Sequence, residues 1–336
     1  MKIVGMIPVY NESDIIESNI EHLVSQGIDL VILDNASTDG SYEICSRYVG
    51  KGVISLEKLE TERYELGLLL ERIYRMALAH KPDWVLLSDA DTFLESPYCK
   101  LTLKEAIESD DHNGHNLIRF NNFEFWPTER DRNSSESDVR KRIRYYTWND
   151  DLQFRCWKVY PDTEVVPGGG HYPKFQNNVK IALCPTKYAL RHYRVRSYQH
   201  GLRKIFDERL PRYSKMERSK GWHLHYDKFG RDESFFIIDS RNLNKYEDDG
   251  KWSVKKTFDW TWGLQGRPWA NPPVKRGLSV RIAERFPFVA RMWKALFLRK
   301  YRRSVRKTKC SSTALPCVAS RNWPNSTLIK RVEIEP

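Results

Sequence analysis

Apolar runs and amphipathic stretches alternate through the first hundred residues. Lys2 to Val9 is almost wholly apolar, as expected of a central parallel strand buried on both faces. Ser13 or Asp14 is placed to cap a helix with Ile16, Ile20, Leu23 and Val24 on one stripe, and Gly27 ends it. Leu30 to Leu33 reads as a second strand, Asp34 to Gly40 as a polar turn, and the stretch around Tyr42 to Tyr48 as a helix. Val53 to Leu56 makes a short third strand, Leu66 to Ala79 a helix, and Trp84 to Leu87 a fourth strand ending on Ser88-Asp89. Such β-α-β alternation predicts a parallel sheet covered by helices and wound right-handed.

Ligands of such sheets bind beyond the carboxyl ends of the strands. Three polar clusters fall there: Tyr10-Asn11-Glu12, Asp34-Asn35 and Asp89-Ala90-Asp91. Residues 120–160 differ in character. Ten of those 41 positions are aromatic, about twice the chain's 12%, so a second packed region is expected. Within it, Thr128 to Arg144 is polar and reads as a loop. Helical patterning returns at Ser197, an N-cap, with Tyr198, Leu202, Ile205 and Phe206 on one face. Ser312 to Pro336 has little pattern, and poor order is expected there.

Charge sharpens this division. The net +12 resides in Lys275 to Lys309, which holds thirteen Lys/Arg and one acid, Glu284; the rest is neutral. That segment interleaves its cations with Phe286, Phe288, Trp293, Leu296, Phe297 and Leu298, a pattern suited to an anionic membrane surface. A solvated helix face is the simpler reading, and nonspecific nucleic-acid binding a weaker one. No segment approaches the roughly 20 uninterrupted apolar residues of a membrane helix. Met1 to Pro8 runs into Val9-Tyr10-Asn11 without a small-residue cleavage site, so a buried strand explains it better than a signal core. The six cysteines are scattered without a C-x-x-C pair, which fits buried thiols in a reducing, cytoplasmic setting and disfavours a structural zinc.

Two acids one residue apart at a strand end project to the same side. Asp89 and Asp91 therefore suit a hard divalent cation, Mn²⁺ or Mg²⁺, that also binds phosphate oxygens. Taken alone, the triplet is more simply a pair of turn or cap acids. Asp34 can accept an N–H from a nucleobase edge, whereas Asp39 and Gly40 make an ordinary turn.

The order Pro8-Val9-Tyr10-Asn11-Glu12, Asp34-Asn35-Ala36-Ser37-Thr38-Asp39-Gly40-Ser41 and Leu86-Leu87-Ser88-Asp89-Ala90-Asp91 resembles the family 2 glycosyltransferases of the GT-A fold over residues 1–100. The resemblance implies an α/β fold with a mostly parallel, Rossmann-like sheet flanked by helices. It implies that Pro8, Tyr10, Glu12 and Asp34 line the nucleotide site, that Asp89 contacts ribose or metal, and that Asp91 holds metal on the diphosphate. Asn35 stands where the family often has a second Asp. The Gln-x-x-Arg-Trp signature of processive members is missing, so a cytosolic, non-processive subgroup is the better match. Gly168-Gly169-Gly170-His171 and Arg191-His192-Tyr193-Arg194-Val195-Arg196-Ser197 resemble that subgroup too. They imply a third metal ligand, His192 with His171 in reserve.

Arg194, Arg196, Arg203 and Lys204 surround the helix start at Ser197, a setting for a diphosphate. Inverting transfer, which the resemblance implies, needs a carboxylate base. Asp150, Asp151, Asp162 and Glu164 are the candidates, with Asp151 first and Glu164 as the alternative beside it. Trp126, Trp148 and Trp157 could stack on sugar rings, although most aromatics serve a core.

The expected organisation is a GT-A domain over 1–215, with a nucleotide-sugar half at 1–110 and an acceptor half at 111–215. A helical C-terminal extension follows at 216–310, basic at 275–309, and then a tail at 311–336. The expected reaction takes a sugar from a nucleoside diphosphate to a saccharide or lipid-linked hydroxyl, in surface polysaccharide or glycolipid synthesis, at the inner membrane face if the basic segment attaches there. Specific nucleic-acid binding is not expected. Two rivals are a noncatalytic carbohydrate- or surface-binding protein and a sugar-phosphate nucleotidyltransferase. The latter wants a Gly-rich basic loop after the first strand, where this chain has Val9-Tyr10-Asn11-Glu12-Ser13.

Overall fold

A computed structural model of the chain describes residues 1–247 and Trp252, apart from 62, 133, 166–172, 177–178, 220–222, 224–225 and 228, and without the side chains of 149–152. The described residues belong to one compact unit, Met1–Trp269. The basic segment Lys275 to Lys309, the tail after it, and His171 lie outside them.

In chain order the elements are β1 (Ile3–Val9), α1 (Ile16–Ser25), β2 (Asp29–Asp34), α2 (Ser41–Ser46), β3 (Val53–Lys58), α3 (Leu66–Ala79) and β4 (Trp84–Leu87). There follow β5 (Thr92–Glu95), α4 (Leu103–His112), β6 (Leu117–Trp126), α5 (Val139–Arg142) and β7 (Tyr145–Lys158). The last are β8 (Glu164–Val165), β9 (Pro173–Lys174), β10 (Tyr188–His192), α6 (Tyr198–Leu202), α7 (Lys215–Ser219) and β11 (Asn244–Lys245). The elements predicted up to Leu87 are all present, because each apolar run is bounded by turn residues.

The main sheet has the order β3-β2-β1-β4-β7-β6-β10-β5, with β11 beside β7. Its first four strands are parallel. β7 runs against both β4 and β6, and β10 lies parallel to β6. Hence β1, β2, β4, β6 and β10 all point their carboxyl ends to one edge. This mixed α/β sheet with flanking helices is the expected GT-A arrangement. Pro8 is tolerated in β1 because the β4 ladder stops at Met6↔Leu87.

One buried cluster joins β1, β2 and β4 to α1 and α4 through Ile7, Ile20, Ile32, Leu86 and Ile107. Each such side chain contributes about 1.5–3 kcal/mol by leaving water. The aromatic stretch forms two further cores. Trp126 and Trp157, considered above as sugar platforms, are 2% and 0% exposed, so they are packing residues. Trp148 is half-buried against the cluster of Phe123, Phe125, Tyr146 and Tyr193. The segment read as a loop contains a capped turn, where Thr128 accepts from the Arg130 amide, and helix α5.

Residues beyond 215 also build this unit. β11 adds to β7, and Phe236, Ile238 and Leu243 pack against Val195 and Ile205. A Cβ on Gly201 would lie 2.2 Å from the Phe236 ring, so only glycine lets α6 sit this close.

Candidate functional site

The shared carboxyl edge gathers Tyr10 to Glu12 after β1, Asp34 on β2, Asp89 and Asp91 after β4, Glu124 on β6 and His192 on β10. Two of the turns are held in left-handed backbone, Asn11 at φ 51° and Ala36 at φ 61°. Asn11 has the side chain for it: its carboxamide oxygen accepts from Thr38 N–H, and its Nδ2 donates to Glu208. Its amide donates to Ser37 Oγ, which locks the β1 turn to the β2 turn.

Asp91 is buried and flanked by two cations. Its Oδ2 accepts from Lys204 Nζ at 2.7 Å, and its Oδ1 lies 3.4 Å from His192 Nε2. Burial pushes this carboxyl up, but Lys204 and His192 outweigh it and hold Asp91 well below the usual range. The other ring nitrogen of His192, Nδ1, is 3.0 Å from Oε1 of Glu124, which is fully buried. Burial lowers the His192 pKa, yet Glu124 and Asp91 overcome that and bring it up to about 9. Arg194 donates to the same Glu124 oxygen at 2.7 Å. Its contact is thus behind the histidine, where the sequence suggested a diphosphate contact.

Asp89 directs Oδ2 to Arg155, 2.8 Å away, while its side chain stays 40% exposed. Burial raises the Asp89 carboxyl, but Arg155 together with His192 brings it below the usual range. The two acids of the triplet thus face different ways: Asp91 inward to two cations, Asp89 toward solvent and a guanidinium.

Beside them lies an ion cluster that joins the β1 turn to residues 196–209. Glu12, 1% exposed, accepts from Lys204 through Oε1 and from Arg196 through Oε2, both at 2.6 Å. Arg196 also holds Asp14, so Asp14 serves this cluster and not as the expected cap of α1, whose N-cap is Ile15. Arg196 is 1% exposed, and its charge is satisfied internally instead of facing a ligand. Glu12, Asp14 and His200 have potential ligand atoms within 4.8 Å of one another, but the Arg196 guanidinium already satisfies both carboxylates.

Ser197 caps α6 as expected, accepting from His200 N–H. The following residues, Arg203–Arg209, form a π-helix. Its wider turn brings Lys204, Glu208 and Arg209 to the sheet edge together, a device common at functional sites. Arg209 stands 3.7 Å from Glu12, and Arg212 lies over the Tyr10 ring at 3.7 Å from its centre. Arg203 pairs with Glu208 and is half exposed.

Beside Tyr10 is an open cavity of about 580 Å³, lined also by Ser37, Thr38, Lys58, Thr61 and Arg212. Asp34 adjoins it: Oδ1 accepts the Ser37 amide at 2.9 Å, and Oδ2 is buried without a hydrogen-bond partner among the described residues. Burial raises its pKa, partly offset by Ser37.

Of the base candidates, Asp150 and Asp151 lie in β7 between Asn149, which pairs with Asn122, and Gln153, which pairs with Phe120; their side chains are outside the described residues. Glu164 is exposed on the separate β8–β9 pair, bonded to Lys174 and Gln176. Glu124, Arg155 and Arg212 were not foreseen. The first two lie in strands that carry other polar and charged residues as well, so nothing in the sequence singled them out.

Residues 6–160 match the family model described as Glycosyl transferase family 2. No curated protein sequence matches the chain. Among solved structures, TarS 1-349 of S. aureus is 16% identical over 57% of this chain and 60% of its own, with a TM-score of 0.34. TarS 1-349 in complex with UDP gives 16% over 60% and 63%, with a TM-score of 0.33. Mannose-1-phosphate geranyltransferase from Thermus thermophilus gives 13% over 48% and 51%, at 0.26. The chain spans about three fifths of the length of the TarS chains it matches.

Proposed function

We propose that this glycosyl transferase family 2-like protein, a glycosyltransferase, moves a sugar from a nucleoside diphosphate to a hydroxyl acceptor with inversion, at the edge where Asp91 meets His192. The observation that carries the reading is that pairing, 101 residues apart in sequence, with Lys204 on the other carboxylate oxygen. Asp34 and Tyr10, beside the 580 Å³ cavity, take the nucleobase; Pro8 and Glu12 shape the turn below it.

A divalent cation would displace existing contacts: His192 would give up its second proton, and Asp91 its contact with that imidazole. Asp91 Oδ1 and His192 Nε2 are a distance apart that two ligands of one ion can span, and Glu124 fixes the imidazole from behind. Asp89 adds a carboxylate that can turn to the ion or to ribose. Bound Mn²⁺ or Mg²⁺ supplies charge neutralisation on the diphosphate oxygens. Lys204 contributes an ammonium at the same place, and Arg209 and Arg212 keep the β1 turn cationic.

In the reaction the acceptor oxygen bonds to the anomeric carbon as the bond to the diphosphate breaks, the electron pair leaving with the nucleoside diphosphate. A carboxylate takes the hydroxyl proton. Asp151 is the proposed base because β7 is the strand that also carries Arg155 to Asp89; Glu164 is the alternative. The acceptor is a saccharide or lipid-linked sugar, and 275–309 the contact with an anionic membrane. No helix among the described residues is long and apolar enough to cross a membrane.

A panel of nucleotide sugars with Mn²⁺, scored for donor binding and turnover in wild type and Asp91→Ala, tests the reading. Binding of one donor class, with turnover lost in the variant, is expected. Failure of every donor to bind, or wild-type turnover by Asp91→Ala, overturns it.

A further inference from the structure

At the amino-terminal ends of β6 and β10, opposite the site above, Asp110, His115 and Cys184 bring a carboxylate oxygen, an imidazole nitrogen and a thiol sulfur within 4.8 Å of one another. The local fold builds this meeting. Gly114, at φ 81°, reverses the chain after α4, and the His115 amide donates back to the Asp110 carbonyl. Asn116 then clamps the approaching segment, giving Nδ2 to Lys180 O and accepting from the Ala182 amide through Oδ1. The Cys184 amide completes the clamp on Leu117 O. His115 Nδ1 lies 3.1 Å from one Asp110 oxygen, and Cys184 Sγ lies 3.2 Å from the other.

Two features separate this cluster from an ordinary polar contact. Asp110 is a buried carboxylate, yet among the described residues no Lys or Arg pairs with it; a thiol, a phenol and an imidazole do. Tyr188, fully buried, donates to Asp110 Oδ2 at 2.8 Å and so orients the carboxylate from behind, as outer-shell partners of metal ligands do. The His115 side chain is 22% exposed, which gives an ion a way in.

We propose that Asp110, His115 and Cys184 form a second metal site, for Zn²⁺, separate from the sugar-transfer site. A mixed sulfur, nitrogen and oxygen set favours zinc over magnesium or manganese. The Cys184 thiol proton, which now faces Asp110 Oδ2 or Thr186 O, leaves to solvent as the sulfur–metal bond forms. His115 binds as neutral imidazole with its proton on Nε2, and Asp110 as carboxylate, so one proton is released per ion. Three protein ligands leave a fourth position for water. The ligands come from two segments, Asp110 with His115 and, about seventy residues on, Cys184, so no C-x-x-C pair marks the site in the sequence.

Co²⁺ titration of the metal-stripped full chain tests it, because a cobalt–thiolate bond gives a charge-transfer band in the near ultraviolet. One equivalent should produce the band, and Zn²⁺ should remove it. Cys184→Ser should abolish it, and His115→Gln, a partly exposed change that the fold tolerates more readily, should weaken Co²⁺ binding by about tenfold or more. Asp91→Asn should keep the band, since the sugar-transfer site contains no sulfur, so the two readings fail separately. A wild-type protein without the band, or a band that survives in Cys184→Ser, overturns the proposal.

Discussion

Glu124 holds the imidazole of His192 from behind, with Oε1 3.0 Å from Nδ1, so that Nε2 is presented to Asp91. Replacing the carboxylate by an amide keeps the shape and removes the charge. Glu124→Gln should weaken Mn²⁺ activation by about 10–100-fold. The check is the Mn²⁺ concentration giving half-maximal turnover, with nucleotide binding measured alongside and expected to change less.

Arg196 lies between Glu12 and Asp14 with almost no exposure. Its removal leaves Glu12 buried with only Lys204 and the more distant Arg209 nearby. Arg196→Met should therefore cost about 3–5 kcal/mol of folding stability, the usual penalty for stranding a buried charge. Equilibrium denaturant unfolding reads this directly, and a loss under about 1 kcal/mol would show that the cluster relaxes freely.

Ala36 adopts a left-handed backbone that a methyl side chain disfavours. Ala36→Gly should stabilise the fold by about 0.5–1 kcal/mol once the greater freedom of unfolded glycine is subtracted. Unfolding midpoints of the two proteins measure it. Destabilisation would mean that the methyl group packs usefully beside the cavity.

The acceptor base can be assigned kinetically. Asp151→Asn should lower kcat by about 10²–10⁴-fold with donor affinity retained, whereas Glu164→Gln should behave like wild type. The reverse result transfers the role to Glu164.

His22 gives the fold an acid limit. Burial, with Arg191 and Arg140 nearby, lowers its pKa to about 4, although its Nε2 contact with Leu94 O works against this. The unfolded chain takes up this proton near pH 6.5 and the folded chain only near 4. Stability from His22 is therefore complete above 6.5 and is lost progressively as pH falls to 4. Thermal melts should drop over that window, and His22→Gln should flatten the drop.

The parallel half of the sheet was legible because burial on both faces leaves its mark within each strand. The strand-end placement of Asp34, Asp89 and Asp91 was legible because strand ends follow from the same runs. Glu124 and Arg155 were hidden by their settings. Each is one of several charges within β6 or β7, and its meaning depends on strands about 30 to 70 residues away being neighbours. Trp126 and Trp157 misled for the converse reason, since an aromatic ring looks alike in sequence whether it meets a sugar or another ring. The helical face through Ile205 and Phe206 was legible, but not that Arg203–Arg209 winds as a π-helix, so the positions of Glu208 and Arg209 could not be foreseen.

The ion cluster joins Glu12 to partners 184 and 192 residues later. Emerging from the ribosome, the amino-terminal half carries all three polar strand-end clusters while its acids still lack their cations. Glu12 and Asp91 can be desolvated together only after Arg196 and Lys204 have been synthesised, so the nascent chain passes through a long interval with this edge open and hydrated. A fragment ending before residue 190 would keep all of residues 6–160, which match the family model, and still lack the cations that pair with Glu12 and Asp91.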